Sequence, residues 1–127
     1  VEMPCEFDFT ISRGSQKVAR HVFIELRYTH QGHTYMGRGE AVPCEFYGNT
    51  QESILEFLTW VQEENWLSEL DPFNIQGFND TMQHVSGHMP AKAALEMALY
   101  DLMGQITGQP LYRLWGLNPN NVPRSSY

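Results

Sequence analysis

Residues 90–110 read PAKAALEMALYDLMGQITGQP, and this stretch decides the helical half of the fold. Pro90 suits the first turn of a helix, and Gly108 followed by Pro110 is a typical stop. Large apolar side chains recur between them at helical spacing: Leu95, Leu99, Leu102 and Ile106. A neighbouring stripe holds small side chains: Ala91, Ala94 and Ala98. The pattern predicts a long helix with a wide apolar face and a small-residue stripe on which another element packs closely.

Two shorter helices are predicted before this one. Asn49 is a suitable N-cap for the first, with Glu52 placed three residues later as in a capping box. Asp71-Pro72 is the start signal of the second. Their buried faces are predicted at Ile54, Leu58 and Val61, and at Phe78, Met82 and Val85. A last short turn, 111–115, follows the long helix and ends at Gly116.

Strand patterns occupy the first third of the chain. Apolar and polar residues alternate over 7–11 and again over 22–28, and 34–41 reads as a third strand. Gly37 and Gly39 in that third strand predict a bulge or a close approach of another backbone. The polar connections at 12–16 and 30–33 are short, which favours antiparallel neighbours. We therefore predict an α+β fold, a three-stranded antiparallel meander sheet followed by a helical bundle.

Composition narrows the classes of partner. The 127 residues carry eight Lys and Arg against 15 Asp and Glu, a net charge of −7. A protein that binds nucleic acid or an anionic membrane surface needs a basic face. No apolar run in this chain approaches the roughly 20 residues that span a bilayer. We expect neither partner. Cys5 and Cys44 form no C-x-x-C pattern and are expected to be free thiols of a cytoplasmic protein.

No catalytic set can be assembled from the sequence. His84 and His88 have the four-residue spacing of some zinc ligands, but no third ligand lies near them, so no metal site is predicted. Two loops are of more interest. Arg13, after the first strand, is a planar cation suited to carboxylates, and Tyr47 stands beside Gly48 between the third strand and first helix. From the residues alone, ordinary loop chemistry is the favoured explanation of both.

Four segments, taken in order, resemble the muconate-lactonising branch of the enolase superfamily. FTISRGS at 9–15 is similar to the first strand and loop of dipeptide epimerases, as is GEAVP at 39–43 with Tyr47-Gly48, although Asn49 replaces an acidic residue. AKAALEMALYDL at 91–102 resembles the superfamily's alanine-rich third helix, and 108–116 resembles the segment that follows it. The chain thus looks like an N-terminal capping domain, most like that of L-Ala-D/L-Glu epimerases.

This resemblance implies an isomerase whose catalytic groups lie elsewhere. In the family a C-terminal (β/α) barrel carries the acid and base lysines and the carboxylates that bind Mg²⁺, which stabilises an ene-diolate. The implied reaction removes the α-proton of a dipeptide and returns it to the other face. This chain would supply no catalytic residue and no metal ligand. Arg13 and Gly14 of the first loop and Tyr47 of the second would contact the small carboxylate substrate.

The domain boundary follows from the same resemblance. A barrel needs about 250 residues, so we expect 1–122 to be the capping domain and 123–127 to begin the linker to a missing barrel. Ala91, Ala94 and Ala98 are expected to dock the cap on the barrel or the helical bundle. The uncovered barrel-facing surface is expected to favour a homo-oligomer. The same cap would serve a cycloisomerase, an o-succinylbenzoate synthase or a racemase. A stand-alone binding or interaction module is the alternative from another class.

Overall fold

The computed structural model describes the backbone of residues 1–11 and 14–123, and the side chains in these ranges except 5–17 and 19. The elements within it are strands β1 (Glu2–Ile11), β2 (Gly14–Arg20), β3 (Val22–His30) and β4 (His33–Ala41), and helices α1 (Gln51–Glu63), α2 (Ile75–Met82), α3 (Met89–Thr107) and α4 (Leu111–Leu114). A 3₁₀ turn, Glu45–Tyr47, lies between β4 and α1. No helix in this part of the chain is long and apolar enough to cross a membrane.

The strands form two antiparallel hairpins, β1 with β2 and β3 with β4. The α+β class is confirmed, but the described residues hold four strands where three were expected. His21 alone separates β2 from β3, and it exchanges backbone hydrogen bonds of 2.7 and 2.9 Å with Val1. The predicted loop at 12–16 was too long, because β2 already begins at Gly14. The sequence GSQKVAR lacks an apolar alternation, so the period-2 signal could not reveal this strand.

The close packing of β4 on α3 is the central contact of the fold. A Cβ added to Gly39 would lie 1.9 Å from the carbonyl oxygen of Ala94, and one added to Gly37 would lie 2.0 Å from that of Ala98. The close approach predicted at these glycines is therefore confirmed, and the β3–β4 register runs past them without a bulge. The alanine stripe of α3 contacts this sheet rather than a barrel, which corrects the docking role expected for Ala94 and Ala98.

The hydrophobic core lies between this sheet and the three longer helices. Its members come from all of them: Val22, Ala41, Ile54, Phe57, Val61, Ile75, Phe78, Met82, Ala91, Ala94, Leu95 and Leu99. Most of the predicted apolar faces are confirmed, although Leu58 and Val85 are only partly buried and Phe57 takes a core position instead.

Both short helices begin later than predicted. Thr50, not Asn49, caps α1: its hydroxyl accepts from the Ser53 N–H at 3.1 Å, and the Ser53 hydroxyl accepts from the Thr50 N–H at 3.0 Å. Asn74 caps α2 through the Gly77 N–H, at 2.9 Å. The expected cap Asp71 instead closes a local turn by accepting from the Phe73 N–H at 2.9 Å. Polar residues stand at several adjacent positions in both loops, and the sequence does not say which one faces the helix end.

Candidate functional site

The loop between β4 and α1 is folded tightly upon itself. The N–H groups of Tyr47 and Asn49 both donate to the Cys44 carbonyl, at 3.0 and 3.1 Å, and the Asn49 side chain donates to the Tyr47 carbonyl at 3.3 Å. Gly48, whose N–H donates to the Glu45 carbonyl, adopts a φ of 73°, a left-handed conformation that favours glycine. These bonds fix the backbone that presents residues 45–47.

Two aromatic side chains project from this fixed loop. Phe46 is 66% exposed and Tyr47 is 70% exposed. Their rings meet edge to face, with centroids 5.0 Å apart and an interplanar angle of 87°. Exposed aromatic groups on a rigid backbone are suited to contact a ligand or a partner, because little conformational entropy is lost when they are covered.

A polar cleft of about 490 Å³ separates this loop from the first hairpin. Val18 and Arg20 of β2 form one wall, and Pro43, Glu45 and residues 50–52 form the other. The cleft therefore places the loop and the β1–β2 hairpin at the same end of the molecule.

The cleft is lined by both positively and negatively charged side chains. The Arg20 guanidinium pairs with Glu2 on the neighbouring strand at 2.9 Å. The pKa of Glu52 is held below its usual value of 4.5, chiefly by a hydrogen bond from its own backbone N–H and then by the Thr50 hydroxyl, with a smaller contribution from the charge of Arg20. The Glu52 carboxylate accepts from its own N–H and the Thr50 hydroxyl accepts from the Ser53 N–H, so two N–H groups of the first turn of α1 have local acceptors.

The junction of β2 and β3 is fixed beside the same loop. The His21 ring, whose side chain is only 17% exposed, pairs through Nδ1 with the Glu40 carboxylate. Glu40 belongs to the GEAVP segment that leads into the loop. This pair ties the start of β3 to the end of β4 and so sets where the loop begins.

The structure describes two of the three residues that were predicted to contact substrate. Tyr47 lies exposed on the loop, where a substrate could reach it. Gly14 is the first residue of β2 and is paired with Ile11 at the tip of the first hairpin. Arg13 lies outside the described residues. The roles assigned to these three residues remain predictions.

Sequence reasoning missed Phe46 as the ring partner of Tyr47, and it missed Arg20 and Glu52 in the cleft. The adjacent aromatic residues in a loop with a glycine could have indicated the role of Phe46. Nothing in the sequence places Arg20 across the cleft from Glu52, because that arrangement depends on the unpredicted strand β2.

His84 and His88, singled out by their spacing, lie in the connection between α2 and α3 and do not share a helix face. His88 caps α3 with a left-handed φ of 56°, and its ring stacks on Phe57 with centroids 4.5 Å apart. Within the described part of the chain, no three His, Cys, Asp or Glu side chains are grouped to hold a metal ion. The described residues therefore do not form a site that fits Mg²⁺.

One hairpin, β3–β4, packed on a long central helix, with an exposed loop leading into a smaller helix, defines an α+β domain of the enolase N-terminal type. The mandelate racemase / muconate lactonizing enzyme N-terminal domain matches residues 1–116, and the chain belongs to this family.

Relatives of known activity agree with this family. The chain is 34% identical over 130 residues to the L-Ala-D/L-Glu epimerase of Bacteroides thetaiotaomicron, covering 99% of this chain and 31% of that protein. It is 37% identical over 116 residues to the hydrophobic dipeptide epimerase of Enterococcus faecalis, covering 90% and 31%. The chain thus spans about a third of the length of the relatives it matches.

A solved structure supports the fold. An enolase family member from Agrobacterium tumefaciens with homology to dipeptide epimerases, holding sodium and L-Ala-L-Glu, superimposes with a TM-score of 0.71. The match covers 93% of this chain and 33% of that one, at 24% identity.

Proposed function

We propose that this chain is the specificity cap of a two-domain, Mg²⁺-dependent dipeptide epimerase. The enzyme would remove the α-proton of a dipeptide residue next to a carboxylate and return it to the opposite face. The observation that carries the proposal is the loop at 44–49, which is closed by its own hydrogen bonds, lines the cleft through Glu45 and presents an exposed Tyr47. The similarity to two dipeptide epimerases over nearly the whole chain supports this choice of substrate.

The chemistry belongs to a second domain in this proposal. The matched relatives are about three times longer than the match, so they contain a further region. When bound there, Mg²⁺ would stabilise negative charge on the substrate carboxylate as the α-proton leaves. The described residues of this chain offer no grouping for that ion. Their contribution is to bind the substrate and exclude water from above.

An apolar surface near α4 is the proposed seat of that second domain. Trp115 is 50% exposed and packs edge to face on Tyr100, with ring centroids 5.1 Å apart. Tyr112, Leu117 and Val122 are also exposed and line a shallow cleft of about 380 Å³. Contiguous exposed apolar side chains of this kind mark interaction surfaces.

We also propose a cytoplasmic location, because the two cysteines of the chain are expected to be free thiols.

Substrate contact is assigned to three positions. Tyr47 would form a wall of the pocket, and Phe46 would hold its ring in place. Arg13 would pair with a substrate carboxylate, since a guanidinium can donate two parallel hydrogen bonds to it. Gly14, without a side chain, would leave room for that approach at the hairpin tip.

The test is α-proton exchange in D₂O by the full-length protein with Mg²⁺, over a panel of dipeptides. We expect exchange on at least one dipeptide and none on single amino acids. Tyr47→Ala should raise KM by on the order of tenfold while kcat changes less, because a wall contact contributes about 1.4 kcal/mol to binding. Absence of exchange on every dipeptide would refute the epimerase assignment.

Phe73→Ala is the matched control. Phe73 is an exposed aromatic residue, 48% accessible, in the connection between α1 and α2 and not in the loop that presents Tyr47. Its loss should leave KM unchanged. An equal rise of KM in both variants would show that Tyr47 acts through general stability and not through contact.

A racemase is the second candidate function. The chain is 30% identical over 118 residues to the N-succinyl-L-Arg/Lys racemase of Bacillus cereus. N-acylated amino acids share the α-proton and carboxylate of a dipeptide but lack its amino terminus. Including N-succinyl amino acids in the same panel separates the two functions: faster exchange on them than on any dipeptide would assign the racemase.

A further inference from the structure

His21 is the single residue between the two hairpins, and it is bonded to both of them. Its backbone N–H donates to the carbonyl of Val1, the residue before β1, at 2.9 Å. Its ring pairs through Nδ1 with the carboxylate of Glu40, near the end of β4. One residue therefore holds the first hairpin through its main chain and the second hairpin through its side chain.

The register of the second hairpin brings this pair together. Val22 lies opposite Ala41, and Phe23 lies opposite Glu40. His21 and Glu40 are therefore diagonal neighbours on one face of the hairpin, at a distance that long side chains can bridge. It is the face turned away from the helices, because Val22 and Ala41, which alternate with these residues, belong to the core.

The pair is partly withdrawn from water. The His21 ring is mostly buried, and 40% of the Glu40 side chain is exposed. Water competes less with a hydrogen bond in such a place than with one on an open surface, and removal of either side chain leaves the other without its partner. Loss of the pair is therefore expected to move the two strands that it joins.

The pair lies between the two walls of the polar cleft along the chain. Arg20, the residue before His21, lines one wall, and Pro43, three residues after Glu40, lines the other. Strand β2 ends at Arg20, and only residues 41 and 42 stand between Glu40 and Pro43. A shift at the pair is therefore passed to both walls without an intervening turn.

The charged residues within the cleft make a weaker link between its walls. The Arg20 guanidinium pairs with Glu2 of its own hairpin at 2.9 Å, and both side chains are exposed. The influence of Arg20 on Glu52 across the cleft is coulombic. Exposed charges contribute little to a fixed geometry, whereas a shielded hydrogen bond such as that of His21 defines a distance.

We propose that His21 and Glu40 are positioning residues of the substrate cleft. Their hydrogen bond sets the separation between β2 and the loop at 44–49, and neither side chain contacts the substrate. The inference rests on the proposed function of this loop. Loss of the pair should weaken the binding of every dipeptide to a similar extent, because it moves the walls and leaves the side chains that line them unchanged.

Initial rates of α-proton exchange by the full-length protein with Mg²⁺ test this role. Glu40→Ala should raise KM by on the order of tenfold, change kcat less, and keep the ranking of dipeptides. Glu40→Gln retains an oxygen that accepts from Nδ1–H and should recover most of the loss. His21→Ala should match Glu40→Ala. The double variant should be no worse than either single variant, because the two residues act as one unit.

Thr29→Val is the matched control. The hydroxyl groups of Thr29 and Thr34 share a hydrogen bond of 3.0 Å, on the same face of the same hairpin and at its other end. This variant also removes one cross-strand bond between side chains, but neither residue lines the cleft. KM and kcat should stay at the wild-type values. Urea unfolding of each variant verifies that it is folded under the assay conditions.

Amide hydrogen exchange of the loop tests the same role without a substrate. The N–H groups of Tyr47 and Asn49 both donate to the Cys44 carbonyl, so their exchange reports how well the loop is held. Mass spectrometry of the peptide that contains residues 44–50 measures it in the full-length protein. Exchange should be faster by on the order of tenfold in Glu40→Ala and unchanged in Thr29→Val.

Four results would overturn the proposal. One is a KM for Glu40→Ala within about twofold of wild type, and another is an unchanged exchange rate of the loop. The third is an equal rise of KM in Thr29→Val, which would indicate a general loss of stability. The fourth is a changed ranking of dipeptides, which would indicate that Glu40 contacts the substrate. A wild-type protein inactive on every dipeptide would refute the proposed function instead, and exchange of the loop would then decide whether the pair positions it.

Discussion

Replacing Gly39 by alanine places a methyl group where the backbone of α3 already lies. The new Cβ would be 1.9 Å from the Ala94 carbonyl oxygen and 3.1 Å from the Ala98 nitrogen. Contacts below 3.0 Å do not occur at real Cβ atoms, so the strand and the helix must separate by about 1 Å or more. The obstacle is main chain within a helix, which no change of rotamer can relieve.

The expected cost follows from this geometry. Overpacking in cores costs about 1–3 kcal/mol, and we expect the upper end, about 3 kcal/mol, because the obstacle cannot move alone. For a domain of this size that lowers Tm by about 10 °C. Urea and thermal unfolding followed by far-UV circular dichroism measure both quantities.

Two further variants separate this cause from a general effect of alanine. Gly104→Ala lies within α3, where the nearest contact is 3.2 Å and helix propensity favours alanine, so its change should stay within about 1 kcal/mol. Adding Ala94→Gly to Gly39→Ala should not restore stability, because the clash involves the carbonyl and not the Ala94 methyl group. A loss below about 1 kcal/mol for Gly39→Ala, or a rescue by the double variant, would refute the reasoning.

Other predictions concern single hydrogen bonds and one carboxylate. Thr50→Ala should destabilise the protein by about 1 kcal/mol through loss of the α1 cap, whereas Thr50→Ser, measured in the same urea titration, should cost only a few tenths. Asp101→Ala should lower the free energy of unfolding by about 1 kcal/mol, because the Arg38 N–H loses its acceptor. Asp101→Asn keeps an acceptor oxygen and should recover most of this loss. Equal losses in the two variants would argue against this hydrogen bond. Glu52 has a pKa lowered in the folded state, so its stabilising effect is present above its usual pKa of 4.5 and is lost as pH falls through the folded value. The difference in unfolding free energy between wild type and Glu52→Gln should therefore shrink from about pH 7 to about pH 3, and a difference that grew in acid would contradict the assignment.

The long helix and its contact with the sheet could be predicted because both signals are local. Pro90 and Gly108 bound α3 closely, and the paired glycines of β4 need a close neighbour wherever it comes from. Which neighbour it is could not be read from the sequence. The alanine stripe was assigned to the barrel or the bundle, and only the tertiary fold shows that it packs on Gly37 and Gly39.

Caps and the second strand show where local signals fail. Asn49 and Thr50 are both good caps, and the choice depends on the bond that holds Asn49 to the Tyr47 carbonyl. Strand β2 is polar and is held by its pairing with β1, which a pattern of apolar residues does not reveal. The loop with Tyr47 was located correctly because an aromatic residue beside a glycine stands out. Its ring partner and the cleft depend on elements that are distant in sequence.

The tight contact at β4 also bears on how resemblance to this family is interpreted. In the segment 39–41, Gly39 is required by the α3 backbone, Ala41 is 1% exposed, and Glu40 is engaged by the His21 ring. All three residues therefore serve the architecture of the domain. A new sequence that shares this segment shares residues that serve the packing of the domain, and the segment carries no information about its substrate. Prediction of specificity among such sequences should instead weigh the exposed positions that follow, Phe46 and Tyr47, where a change of side chain alters the surface and leaves the packing intact.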